Sequence, residues 1–142
     1  MKLELKHLAG YLPYGLKIQY KSMYTETLKY RELEIYNVNF SLLKQDKPIL
    51  HKLSDLTKEI EVNGEKFVPN DLLNSRFRQS SKDLFPYKSL WYNLELDIQT
   101  ENYSQSMDLF DGFLIVTQLL EWHFDIYGLI DAGLAIDINT LK

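Results

Sequence analysis

The last third of the chain sets the tightest limit on its fold. Residues 107–127 read MDLFDGFLIVTQLLEWHFDIY. Phe113 to Val116, with Leu119 and Leu120, are apolar around most of a helical turn. A helix of that kind is expected to be buried on most sides. Asp108, Asp111, Gln118, Glu121 and His123 interrupt it, and no run reaches the roughly 18 uninterrupted apolar residues of a spanning segment. The stretch therefore predicts the central helix of a small soluble domain. Gly128 stands where a helix-ending glycine is expected.

At 142 residues the chain is expected to be a single domain. Residues 14–68 read as the β-rich part and 70–142 as mainly helical. The absence of cysteine removes disulfides, thiolate zinc sites and a cysteine nucleophile. The start, MKLELKHLAGYLPYG, lacks an apolar h-region, so the expected compartment is the cytoplasm. The net charge of −4 is unevenly spread. Residues 1–88 carry 15 Lys/Arg against 11 Asp/Glu, and residues 89–142 carry one Lys against nine Asp/Glu. Such a split gives either two faces of opposite sign or two halves that attract each other.

Leu5, Leu8, Ala9 and Leu12 repeat at helical spacing, and Pro13 is expected to end that helix. Leu16, Ile18 and Tyr20 alternate with Lys17, Gln19 and Lys21, the period of a strand. Tyr30 to Leu43 reads as a second strand, with a bulge near Ile35–Tyr36 to explain its change of phase. Ile49 to Leu53 is a third, short strand. Ser54 is placed to cap a short helix through the Thr57 amide. Asn63-Gly64 marks a hairpin pairing Val62 with Glu65, Glu61 with Lys66, and Ile60 with Phe67. Asn70 is expected to cap a helix holding Leu72, Leu73 and Phe77. Residues 88–100 fit either a helix, through the spacing of Leu90, Leu94 and Ile98, or a strand, through the alternation of Leu94–Ile98, and the strand is the preferred reading. A terminal turn and short strand lie within Leu129–Ile138. The fold class expected is α+β: a small, mostly antiparallel sheet packed on C-terminal helices, with residues 107–127 at its centre.

Catalytic and metal motifs are lacking. On a helix, Glu121, His123 and Asp125 point about 200° apart in succession, so they diverge rather than converge on one ion. Metal-binding helices use spacings of three or four. The six glycines form neither a phosphate loop nor a dinucleotide fingerprint. No cofactor and no catalysis are expected. The one constellation that points to binding is Tyr14, Lys17, Tyr20, Lys21, Lys29, Tyr30 and Arg31. Tyrosines beside basic residues on a small sheet suit base stacking and phosphate contact. They equally suit a peptide, since tyrosine gives large contact area at low entropy cost. A plainer reading is that the rings pack core edges and the lysines face water.

Three phrases carry a resemblance: LAGYLPYGLK at 8–17, LSDLTKEIEVNGEKFVP at 53–69 and LLEWHFDIYGLIDAGLAIDIN at 119–139. They resemble a group of small phage, prophage and mobile-element proteins of gut Bacteroides-type bacteria. The resemblance implies a bacterial, element-encoded setting and no activity or site residue. Together these readings lead to the expectation of a non-enzymatic accessory protein that binds another macromolecule, above all a protein. Homo-oligomerisation is a further expectation, because the apolar C-terminal helix offers more surface than one small sheet covers. Single-stranded nucleic-acid binding through the Tyr/Lys surface is the alternative.

Overall fold

The computed structural model describes residues 1–76 and 109–141, the side chains at 74–76 and 109–112 excepted. Along the chain run α1 (Leu5–Leu8), β1 (Lys17–Lys21), β2 (Leu28–Glu32), α2 (Val38–Lys44), β3 (Lys47–Leu50), β4 (Ile60–Val62), β5 (Glu65–Phe67), α3 (Pro69–Arg76), α4 (Leu109–Glu121) and β6 (Ile136–Asp137). Tight 3-10 turns lie at Ala9–Tyr14, Leu53–Thr57 and Ile138–Thr140. The fold is α+β. Two compact units divide it: residues 1–52 with 119–142, and residues 53–118.

The first unit is built on a four-stranded sheet of order β2-β1-β3-β6. β1 runs antiparallel to both β2 and β3, and β3 is parallel to β6. Ile18 lies opposite Arg31 on one side and Pro48 on the other, so these three share a face. On that face Ile18 and Leu50 are fully buried and join Leu3, Leu8, Tyr11, Leu16, Leu33, Val38 and Leu129 in one apolar cluster. Each such side chain contributes roughly 1.5–3 kcal/mol on removal from water. The core thus draws on both ends of the chain. The short terminal strand expected within Leu129–Ile138 is β6.

β1 follows the alternation of Leu16–Lys21. Pro13 does not end the first helix. That helix tightens at Ala9 into a 3-10 turn containing Pro13, and Gly15, at φ 64°, reverses the chain into β1. The expected strand Tyr30–Leu43 is also corrected. β2 stops at Glu32, and residues 38–44 form α2. Val38, Ser41 and Leu42 fall at helical spacing and are the positions that α2 turns inward, whereas Asn39, Phe40 and Leu43 are exposed. Packing of that stripe overrides the β preference of the single residues. α2 ends as Gln45 enters the left-handed region at φ 55°, with the Gln45 amide donating to Leu42 O (3.2 Å) and the Asp46 amide to Ser41 O (3.0 Å). This is the hydrogen-bond pattern of a Schellman stop.

In the second unit the hairpin has the register read from Asn63-Gly64: Ile60 with Phe67, Glu61 with Lys66, Val62 with Glu65. Asn63 at φ 53° and Gly64 at φ 83° supply the two positive angles of a type I′ turn. Ser54 opens no α-helix; Leu53–Thr57 is a 3-10 turn in which Thr57 Oγ1 donates back to Ser54 O at 3.4 Å. α3 begins at Pro69, whose missing amide donor costs nothing at the first helical position. Asn70 is therefore a buried first-turn residue and not the cap. Leu56, Ile60, Leu73 and Ile115 are buried in this unit.

α4 is shorter than expected. It ends at Glu121, and its last three residues belong to the first unit. His123, at φ 62°, makes the stop: its amide donates to Leu120 O (3.1 Å) and that of Phe124 to Leu119 O (2.9 Å). Gly128 serves a later turn, at φ 71°. The burial of α4 on most sides leaves one apolar residue out. Ile115 and Leu119 are buried, Leu114, Val116 and Leu120 are half-buried, and Phe113 is 65 % exposed. Phe77, the expected strand Leu94–Ile98, and Met107–Asp108 lie outside the described residues. No helix among the described residues is long and apolar enough to cross a membrane.

Candidate binding groove

The register of the first unit's sheet decides what the basic and aromatic residues can do together. Directly paired residues of antiparallel strands share a face. Tyr20 pairs with Lys29 and Ile18 with Arg31, so Tyr20, Lys29 and Arg31 lie on the face of the core. Lys17 pairs with Glu32 and Gln19 with Tyr30, so Lys17 and Tyr30 lie on the opposite face. There the Gln19 amide donates to the Tyr30 hydroxyl at 3.1 Å. Tyr14 is further away still, before the start of β1, where its backbone carbonyl meets His123 Nε2 at 2.7 Å. Lys21, at the end of β1, pairs with Leu28 and so has the parity of Lys17. The seven candidate residues thus do not form one surface.

Four of them do converge. Tyr20, Lys21, Lys29 and Arg31 line an open groove of about 550 Å³ together with Met23, Tyr24, Phe40, Lys44 and Asp46. The β1–β2 loop forms one wall. Its sharp return uses Glu26 at φ 57°, and the Ser22 amide donates to Thr27 O at 2.8 Å. α2 forms the other wall: Phe40 and Lys44, one turn apart, point the same way. Sequence reasoning missed Phe40, Lys44 and Asp46 because it read residues 38–43 as strand. Helical spacing at Phe40 and Lys44 was the signal.

Arg31 is the fixed point of the groove. One of its terminal nitrogens, Nη2, donates to Asp46 at 3.0 Å and to the Ser41 hydroxyl at 2.8 Å. Its guanidinium lies 4.6 Å from the centre of the Tyr20 ring and 5.4 Å from that of Phe40. Contacts of this kind contribute about 0.5–1 kcal/mol each at exposed sites. Asp46 is buried, and that burial pushes its carboxyl above the ordinary range, outweighing the opposing pull of Arg31 and Ser41. Arg31 is thus held and largely neutralised. The exposed basic charge on the groove face comes from Lys29 and Lys44, against the exposed carboxylate of Glu26; Lys21, of the opposite parity, lines the groove only at the end of β1.

The other polar cluster has a structural role. Glu121, His123 and Asp125 do not share a helix, because α4 ends at Glu121. Asp125 is buried and accepts from the Leu129 amide (2.8 Å) and the Ile130 amide (2.9 Å), which closes the turn at Gly128. Burial holds the His123 imidazole below its ordinary pKa, with the Tyr14 carbonyl and Glu32 acting in the opposite direction. Among the described residues no group of three or more His, Asp or Glu is placed to hold a metal ion. The chain matches no protein-family model, no curated protein and no solved structure.

Proposed function

We propose that the protein works without catalysis, by binding a segment of another protein in the Tyr20–Phe40 groove. The observation that carries this reading is the lining itself. Exposed Lys29 and Lys44 stand beside an apolar and aromatic lining of Tyr20, Met23, Tyr24 and Phe40. That lining suits an acidic segment bearing apolar or aromatic side chains. Aromatic anchors supply contact area, and charge complementarity supplies orientation and selection. The three resembling phrases support a phage or mobile-element setting for this accessory role.

Nucleic-acid binding is supported less well. The sheet divides the basic residues, with Lys17 and Lys47 on the face away from the groove. A strand of phosphates needs a continuous basic track. Arg31, the residue best suited to a phosphate, is already paired with Asp46. The discriminating experiment titrates the protein with a fluorescent Asp/Phe peptide and, separately, with an oligo-dT strand. The peptide should bind, and the Lys29→Glu/Lys44→Glu double variant should lose it. Oligo-dT binding at physiological salt that the same variant abolishes would replace this reading with the nucleic-acid one.

A further inference from the structure

We infer that the outer edge of β2 is a strand-addition site, and that its occupant is an extended acidic peptide laid antiparallel or parallel along Leu28–Glu32. The inference rests on the groove reading above and adds the mode of binding and the pattern of the partner.

In the order β2-β1-β3-β6, β2 is an end strand, and no described strand pairs with its outer side. The backbone groups that point outward follow from two hydrogen bonds. The Ser22 amide donates to Thr27 O, and the Leu33 amide to Leu16 O. In an antiparallel ladder bonded and non-bonded pairs alternate. Thr27, Lys29, Arg31 and Leu33 therefore face β1, and Leu28, Tyr30 and Glu32 turn their amides and carbonyls outward. Among the described residues only the Glu32 carbonyl is taken, by the Asn37 side-chain amide at 3.2 Å. Natural edges are usually blunted by charge, proline or a bulge. On β2 that charge is carried by Lys29, Arg31 and Glu32, which makes the edge selective, while its outward-bonding residues include Leu28, 61 % exposed, and Tyr30, 51 % exposed.

Charge selects the occupant. An added strand would set alternate side chains beside Lys29 and Arg31 on the groove face, and the others beside Leu28 and Tyr30. A second copy fits badly. The antiparallel pairing that sets Leu28 opposite Tyr30 puts Lys29 directly against the other copy's Lys29, and like charges directly opposite are destabilising. A peptide with carboxylates at every second position meets Lys29 and, across the groove, Lys44. Its intervening apolar residues cover Leu28 and Tyr30. Backbone bonding to an edge with alternating side-chain recognition is a known mode of peptide capture.

The test uses the full chain and a short fluorescent peptide of alternating valine and glutamate. Its companions are the valine–lysine counterpart and two versions N-methylated at either the valines or the glutamates. The Val/Glu peptide should bind and the Val/Lys peptide should not. One of the two methylated peptides should bind about tenfold or more weakly, as expected for a few lost backbone bonds. Methylation at valine blocks antiparallel addition, and methylation at glutamate blocks parallel addition. Amide exchange at Leu28 and Tyr30 should slow on binding. Lys29→Glu should exchange the preference for the Val/Lys peptide. If both methylated peptides bind as well as the parent while Lys44→Glu weakens all three, edge pairing is wrong and the groove reading stands. If none of the peptides binds, both are wrong. Protection of Leu28 and Tyr30 that rises with protein concentration alone would make a second copy the occupant.

Discussion

The Tyr11 hydroxyl donates to the backbone carbonyl of Phe124, a residue 113 positions away. Tyr11 is fully buried, and burial drives its ionisation well above the ordinary range. The hydroxyl therefore stays a donor at neutral and moderately alkaline pH. It ties the turn after α1 to the segment after α4, within the first unit. Tyr11→Phe removes this donor, while the carbonyl keeps the Ile126 amide at 3.1 Å. The expected loss is therefore that of one hydrogen bond, about 0.5–1.5 kcal/mol. Urea midpoints of the variant and parent check it, and equal midpoints would mean that the Ile126 amide alone satisfies the carbonyl.

Asp125 should behave similarly, through backbone amides. Its two carboxylate oxygens accept from Leu129 and Ile130 at 2.8 and 2.9 Å. Asp125→Ala orphans both donors at once, one of them in a buried setting. We expect a loss of about 1–3 kcal/mol, with Asp125→Asn recovering part of it because one oxygen remains. The comparison of the two variants in thermal melts separates lost hydrogen bonds from lost packing.

His123 predicts a pH dependence with a definite sign. Its folded pKa lies below the ordinary histidine value, chiefly through desolvation. Unfolded, it titrates near pH 6.5. Above that pH both states hold it neutral, and it contributes no slope. As pH falls below about 6.5 the unfolded state takes the proton first, so stability drops until the folded pKa is passed, with a slope of at most about 1.4 kcal/mol per pH unit. His123→Asn should flatten that part of the profile. Asparagine tolerates the left-handed backbone at this position better than most residues. Denaturation midpoints of parent and variant between pH 7.5 and 5, chosen to span that window, should converge as pH falls if the sign is right. A constant gap would remove His123 from the titration.

What the sequence made legible follows local chemistry. The Ile60–Phe67 hairpin was readable to the residue, because Asn-Gly permits the two positive φ angles of its turn and so fixes the register. β1 was readable from alternation. α2 was not, since Tyr36, Val38 and Phe40 favour strands singly and only the burial of Val38, Ser41 and Leu42 makes the helix pay. The end of α4 was hidden because His123 occupies a left-handed position that glycine usually takes. The candidate surface was legible as a set of residues and not as a site. Parity along β1 already separates Tyr20 from Lys17, but the partner faces of Tyr30 and Lys29 depend on a register set by the Met23–Glu26 loop.

The correction to α4 changes which of its residues carry weight. A helix buried all round would lose stability at any apolar position. The observed helix buries Ile115 and Leu119 to 1 % and 0 % exposure and leaves Phe113 65 % exposed. Ile115 and Leu119 are four apart and lie on one face, with Phe113 off it. Leu119→Ala should therefore cost about 2–5 kcal/mol, by lost transfer energy and the cavity it leaves. Ile115→Ala should fall in the same range. Phe113→Ala, although it deletes the largest side chain of the three, should cost under about 1 kcal/mol, as surface substitutions do. Guanidinium titrations of the three variants check the ordering. A Phe113→Ala loss as large as that of Leu119→Ala would place Phe113 among the buried positions of the helix.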